Sequence, residues 1–239
     1  MALAWRCTRS LTLTLTLTLT LTLTLTLTLY GPPDGTQADQ EMTRFESNRK
    51  AAEQGHGGAQ FNLGGFYARG AGGVEVDMAK AAEWWLKAAE QGHLDAQHNV
   101  ALCYERGKGV EVDKAKALKW SREAAEGGLN KAQARLAAWY SMGEPGLVEV
   151  DKEKAVMWFR KAADGGHVAS QNILGQFYFH GNGVEVDHEK AAEWHLKAAE
   201  QGDADGQYSL GVCHTRGIGV EVDKEKALEW YEGSRGRAR

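Results

Sequence analysis

Three groups of residues have types and spacings that could do chemistry. The first is an acidic tract, Val-Glu-Val-Asp, at 74–77, 110–113, 148–151, 184–187 and 220–223, whose carboxylates could hold a cation or a basic peptide. The second is the histidines: His56, His93 and His167 share one place relative to the tracts, and His188 and His195 lie seven residues apart. The third is the neighbouring pair Cys213-His214. Geometry argues against each as a reactive site. Equivalent places in stacked helical units stand about 8–10 Å apart, whereas ligands of one zinc sit about 2.0–2.1 Å from the metal. His188 and His195 lack a His-Glu-x-x-His arrangement, and neighbours such as Cys213 and His214 point apart on a helix. The Gly-x-Gly-Val turns lack the Gly-Lys-Ser/Thr of a phosphate loop. The tract glutamates Glu75, Glu111, Glu149, Glu185 and Glu221 run beside a row of lysines, Lys80, Lys116, Lys154, Lys190 and Lys226. A balanced, solvated face is expected there rather than an ion site.

The elements that position these residues follow from the period. The tract aspartates are 36, 38, 36 and 36 residues apart, the mark of stacked supersecondary units rather than one globular core. Each unit opens with a helix numbered here from its first small residue, at Ala59, Ala96, Ala132, Ser170 and Gly206. Position +4 is Leu63, Val100, Leu136, Leu174 or Leu210, and +8 is Tyr67, Tyr104, Tyr140, Tyr178 or His214, which makes one apolar stripe. Position +5 is always glycine or alanine, which predicts a helix packed close against it; position +1 is always glutamine, an amide able to tie layers together. A glycine (Gly70, Gly107, Gly143, Gly181, Gly217) ends the helix as a left-handed cap. The tract follows, with its aspartate as N-cap of a second helix and its valines packing between layers. Seven residues after the aspartate stands Trp84, Trp120, Trp158, Trp194 or Trp230; five buried rings would supply most of the stacking energy. Insertions fall in the loops of units one and three, the latter Gly143-Glu144-Pro145-Gly146-Leu147.

These motifs resemble the Sel1-like repeat family, a branch of the helical hairpins related to tetratricopeptide repeats. The match is Ala-x-x-x-Leu-Gly-x-x-Tyr, Gly-x-Gly-Val-x-x-Asp and Lys-Ala-x-x-Trp-x-x-Lys-Ala-Ala-x-x-Gly, nearly whole from Ser170 to Gly202. The departures are His214 for tyrosine, Ser170 and Gly206 for alanine, and Glu123 for lysine. The resemblance implies an all-α fold, an α/α solenoid forming a right-handed superhelix of about five hairpins, acting as a non-enzymatic adaptor in protein complexes. It covers residues 39–232: a capping helix at 39–54, then units near 57–92, 93–128, 129–166, 167–202 and 203–232, followed by a basic tail at 233–239. Family members act in membrane-protein degradation at the endoplasmic reticulum and in bacterial signalling. A membrane-tethered quality-control adaptor and a regulator or hydrolase-like enzyme are the alternatives.

In related superhelices the first helix of each unit lines the concave surface. Framework positions are committed to stacking, so specificity is expected where units differ. On the first helix these places are +2 (Phe61, His98, Ala134, Asn172, Tyr208), +6 (Gly65, Leu102, Ala138, Gln176, Val212) and +9 (Ala68, Glu105, Ser141, Phe179, Thr215). They share a face. The expected partner surface is Phe61, His98, Leu102, Asn172, Gln176, Phe179 and Tyr208, with the three aromatics as anchors; ordinary variation between units is the competing reading. The partner is a protein or peptide, not nucleic acid, since the net charge is -4 and the only basic cluster is the short tail. No cofactor or metal is expected, and the array is expected to be a monomer. Cys103 and Cys213, at one position three units apart, read as small buried apolar residues rather than a disulfide. Residues 11–29 are Leu-Thr nine times plus a leucine, after Arg6 and Arg9. They read as low complexity, as a signal or anchor, or least well as a strand. The first reading leaves the protein cytoplasmic; the second places it in the endoplasmic reticulum or secretory route, with membrane association only through residues 1–30.

Overall fold

A computed structural model describes residues 37–236. The Leu-Thr run, Cys7 and the end of the basic tail lie outside the described residues. Among those described, eleven helices follow one another: α1 Gln37–Glu53, α2 Gly57–Arg69, α3 Met78–Glu90, α4 Leu94–Arg106, α5 Lys114–Glu126, α6 Asn130–Met142, α7 Lys152–Asp164, α8 Val168–His180, α9 His188–Glu200, α10 Ala204–Arg216 and α11 Lys224–Arg235. Each packs against the helix before and the helix after it, so the chain is an α/α solenoid of five hairpins, α2–α3 to α10–α11, with α1 laid on the first. Glu144 and Val148 form an isolated β-bridge inside the unit-three insertion. None of these helices is long and apolar enough to cross a membrane.

The tract aspartates begin the second helices as the sequence predicts. Asp77, Asp113, Asp151, Asp187 and Asp223 each accept from the backbone N–H three residues on, at 2.8–3.0 Å. The lysine carrying that N–H folds back, its ammonium 2.6–3.4 Å from the same carboxylate. The lysine row therefore serves the caps rather than the tract glutamates. That N–H holds the carboxyls of Asp77, Asp113 and Asp223 below their ordinary value of 3.8, and the ammonium does so for Asp151 and Asp187.

The valines divide. The first of each tract is half-buried against the cores, while the second, Val76, Val112, Val150, Val186 or Val222, is 57–62% exposed. Only one valine per tract packs between layers. The second lies along the turn glycine, where a Cβ on Gly70, Gly107, Gly143, Gly181 or Gly217 would meet its Cγ2 at 2.9 Å. Four of these glycines are left-handed caps; Gly143, at the insertion, has φ 73 and ψ 168 instead.

Layers are joined by packing and by the invariant glutamine. Gln60, Gln97, Gln133, Gln171 and Gln207 donate Nε2 to the carbonyls of Ala52, Ala89, Ala125, Ala163 and Ala199 on the preceding helix, at 3.1–3.3 Å. The +4 residues are 0–2% exposed. The small +5 residue faces the residue eight after the aspartate. A methyl on Gly64 would stand 2.5 Å from the Trp85 ring, on Gly175 2.7 Å from His195, and on Gly211 2.7 Å from Tyr231. Tryptophan contributes less evenly than its periodicity suggests. Trp120, Trp158 and Trp194 are buried, but Trp84 and Trp230 are half-buried, and in unit one it is Trp85 that fills the core and donates Nε1 to Phe61 O. Unit one has glycine at +5, which leaves room for the larger ring one residue later. Cys103 and Cys213 are free and buried, as expected.

Candidate partner-binding surface

The first helices α2, α4, α6, α8 and α10 carry the variable face. One hollow on it lies between α4 and α6 and holds about 430 Å³. The cause is local to unit three, where +2 and +6 are Ala134 and Ala138, so two adjacent side chains are missing from the face. Trp139 and Met142 make the apolar floor and edge; His98, Glu105, Lys131, Arg135 and His167 supply polar groups. Glu105 of α4 and Arg135 of α6 form an ion pair across the two units, both side chains largely shielded from solvent. Lys131 sits 3.9 Å from Asp95 at the rim. Burial lowers Arg135 and, with the Arg135 and Lys131 cations beside it, pushes His98 down to about 4. His98 is therefore neutral at physiological pH, and its Nδ1 is buried with no partner. The cleft combines an apolar floor with a fixed ion pair and a neutral imidazole, a lining suited to a peptide segment.

A second hollow of about 340 Å³ lies at the N-terminal end, between Glu41, Arg44 and Asn48 of α1 and Phe61, Asn62 and Gly65 of α2. Here glycine at +6 opens the face. Phe61 forms one wall, its ring stacked on His93 of the next unit at 4.5 Å and 19°.

Of the residues singled out in the sequence, His98 and Phe61 thus line clefts, and the other five line neither. Leu102 is half-buried and Gln176 exposed on the same face. Phe179 is half-buried, against the rings of His180 and His188. Tyr208 is 59% exposed, tilted against Tyr231. Asn172 presents no surface: it is 6% exposed, and its Oδ1 lies 2.9 Å from Nδ1 of buried His195. Its variation between units compensates variation in the core, not at a partner face. Sequence reasoning missed Arg135, Lys131 and Trp139, and placed Glu105 on the variable face at +9 without singling it out; the paired alanines at +2 and +6 of unit three were the signal for a hollow. It also missed the work of the shared histidines. His93 and His167 are N-caps, accepting through Nδ1 from the N–H of Ala96 at 3.3 Å and Ser170 at 3.2 Å, and Asp203 does the same for Gly206. Among the described residues no three His, Cys, Asp or Glu stand close enough to hold a metal.

The repeat family described as Sel1 repeat matches residues 58–93, 94–129, 130–167, 168–203 and 204–232, all five hairpins. The chain belongs to the Sel1 repeat family. It is similar to a Sel1 repeat protein from Oxalobacter formigenes, with 35% identity, a TM-score of 0.72, and 78% of this chain and 75% of that one covered. It is also similar to c5321, a protective antigen of uropathogenic Escherichia coli with an SLR fold, with 39% identity, a TM-score of 0.75, and 80% of this chain and 40% of that one covered. This Sel1 array thus spans less than half the length of the second relative. No curated protein matches the chain. Sel1 repeat proteins are generally protein-interaction scaffolds. In this Sel1 array both hollows of the variable face fall where a unit carries glycine or alanine at a variable place.

Proposed function

We propose that this Sel1 array is a non-enzymatic scaffold that holds an extended segment of a protein partner along the face formed by α2, α4, α6, α8 and α10. The reading rests on the cleft between α4 and α6, where Ala134 and Ala138 leave a hollow over Trp139 flanked by the Glu105–Arg135 pair and neutral His98. An apolar side chain of the segment enters the hollow, and the flanking polar groups set its direction.

The test is selection of a displayed random peptide library on the full chain, followed by binding of the enriched peptides to Ala138→Trp, whose indole fills the hollow. Enriched peptides should lose at least tenfold in affinity for the variant while its helical circular dichroism and melting curve stay unchanged. A library that enriches nothing, or peptides that bind a folded Ala138→Trp as well as the parent, would overturn the proposal.

A further inference from the structure

Four of the five units place tyrosine at +8, and each ring lies under the lysine that follows the capping aspartate. The Nζ-to-centroid distances are 5.4 Å for Lys80 and Tyr67, 5.2 Å for Lys116 and Tyr104, 5.5 Å for Lys154 and Tyr140, and 5.7 Å for Lys190 and Tyr178. The ring sits between the second helices of successive units. Tyr67 packs into the cores on both sides of it, as does Tyr104. Tyr178 shows the lateral neighbour as well: Arg160 of the preceding unit donates to its hydroxyl and covers its ring.

Unit five keeps the backbone of this arrangement and loses the ring. The carbonyl of each +8 tyrosine accepts from the N–H of the capping aspartate at 2.8–3.0 Å, and His214 O accepts from Asp223 N at 3.0 Å. Only the side chain differs. The place in front of His214 is a hollow of about 520 Å³ with apolar walls from Ala192, Leu196, Leu210, Val220 and Trp230, and with Lys226, Glu189 and Glu193 also lining it. Leu196 stands where Arg160 stands one unit earlier, nine residues past the aspartate, and is 38% exposed. His214 does not occupy the space as a tyrosine would, and its Nδ1 makes only a 3.4 Å approach to Glu221 O. Three features of the tyrosine site survive: apolar walls, a register-matched backbone and a lysine cation over the ring position. A ring under an ammonium gains cation–π attraction on top of its apolar burial. The hollow is larger than one ring and is open to solvent, so a ring can enter still attached to a peptide. On a helix of 3.6 residues per turn, +8 points well away from +2, +6 and +9, so this hollow is separate from the proposed partner face and does not depend on it.

We infer that the hollow before His214 is a binding slot for an aromatic side chain, tyrosine or phenylalanine, presented by a protein partner. The four tyrosines of the array itself define what fits. The slot pins one aromatic residue at the C-terminal end of the array.

The test has two arms on the full chain. In the first, p-cresol, the tyrosine side-chain analogue, is titrated while the indole N–H resonances of the tryptophans are followed. Trp230 should shift saturably and Trp158 should not. His214→Tyr, which restores the array's own ring, should abolish the shift and raise the thermal midpoint; Leu196→Gln should weaken binding at least fivefold with the fold intact; Ala138→Trp should leave it unchanged. In the second arm a random peptide library selected on the parent and counter-selected on His214→Tyr should enrich sequences bearing tyrosine or phenylalanine. Absence of a saturable Trp230 shift, or an equal shift in folded His214→Tyr, overturns the slot. A p-cresol response without aromatic peptides in the selection overturns the protein partner and makes the slot one for a free small aromatic. Ala138→Trp and His214→Tyr report on different hollows, so a peptide lost on one variant and kept on the other shows which of the two proposals it tests.

Discussion

His195 gives the protein an acid sensitivity that can be worked out from its surroundings. The ring is 3% exposed, lies against Gly175 where a methyl would come within 2.9 Å of three of its atoms, and is tied through Nδ1 to the Asn172 amide oxygen at 2.9 Å. Burial alone pushes it from the ordinary 6.5 to about 4. The sign follows directly. A depressed histidine binds its proton more readily in the unfolded chain, so its contribution to stability is complete above pH 6.5 and is lost as pH falls from there towards the folded value near 4. A shift of this size, at about 1.4 kcal/mol per pH unit, means a loss of about 2 kcal/mol between about pH 7.5 and pH 5. His98, also near 4, contributes in the same direction, as does His167, which burial lowers. The capping aspartates do not share this window: their pKa values lie below 3.8, so their stabilisation fades only in stronger acid. The perturbation is His195→Phe. Phe159 holds the equivalent place in unit three, and aromatic rings oppose the +5 glycine in units one and five. The variant leaves the Asn172 oxygen unpaired, a cost that is the same at both pH values, so the readout is the slope. Urea unfolding followed by tryptophan fluorescence at about pH 7.5 and pH 5 should show the acid loss shrinking by about 2 kcal/mol relative to the parent. An unchanged acid loss in His195→Phe would refute the assignment of that proton uptake to His195.

Two further outcomes test the packing. Gly219 and Gly146 occupy the same turn position with φ 68 and 74, but a Cβ on Gly219 would stand 1.9 Å from His188 O whereas Gly146 has nothing within 4 Å. Gly146→Ala should cost only the left-handed strain, about 1–2 kcal/mol, while Gly219→Ala must also lift the loop off α9; urea midpoints of the two variants should differ clearly, and equal midpoints would deny the close approach. Trp158→Ala should cost about 3–5 kcal/mol as a buried-ring deletion, and half-buried Trp84→Ala much less, read by thermal unfolding of the two variants side by side.

The parts of the fold legible in the sequence are those each unit must repeat. The aspartate cap, the +4 leucine and the +1 glutamine recur because each joins one unit to itself or to the next in the same way. Where units solve a packing problem differently, periodicity misleads. Trp84 sits in phase with four other tryptophans, yet the ring that fills the unit is Trp85, because Gly64 at +5 leaves space there and the partner place lies eight after the aspartate. The same pair of places reads Gly175 with His195, Gly211 with Tyr231 and Ala137 with Phe159. Asn172 belongs to this class: it varies because His195 varies, so a rule that equates variation with an exposed surface assigns it wrongly. The pairing of Arg135 with Glu105 escaped notice because it spans two units, at +3 of one and +9 of another. A search for differences at one position at a time does not see it.

Function in a repeat array is carried by departures from the repeat, and the direction of the departure matters. A larger residue at a framework place must be matched by a smaller one opposite, as Trp85 is by Gly64, and the core closes over the change. A smaller residue with no compensating neighbour leaves volume that the backbone cannot collapse to fill, because the layers on either side hold the helix spacing. Ala134 with Ala138 and His214 are both losses of this second kind. The first pair removes two side chains from the face between α4 and α6. The second removes one ring from between α9 and α11 and leaves Lys226 without the ring its four counterparts cover. Restoring the array's own tyrosine at 214 is therefore the sharpest perturbation of the second place: it should stabilise the solenoid while destroying the recognition, the opposite of what a mutation in a purely structural position does.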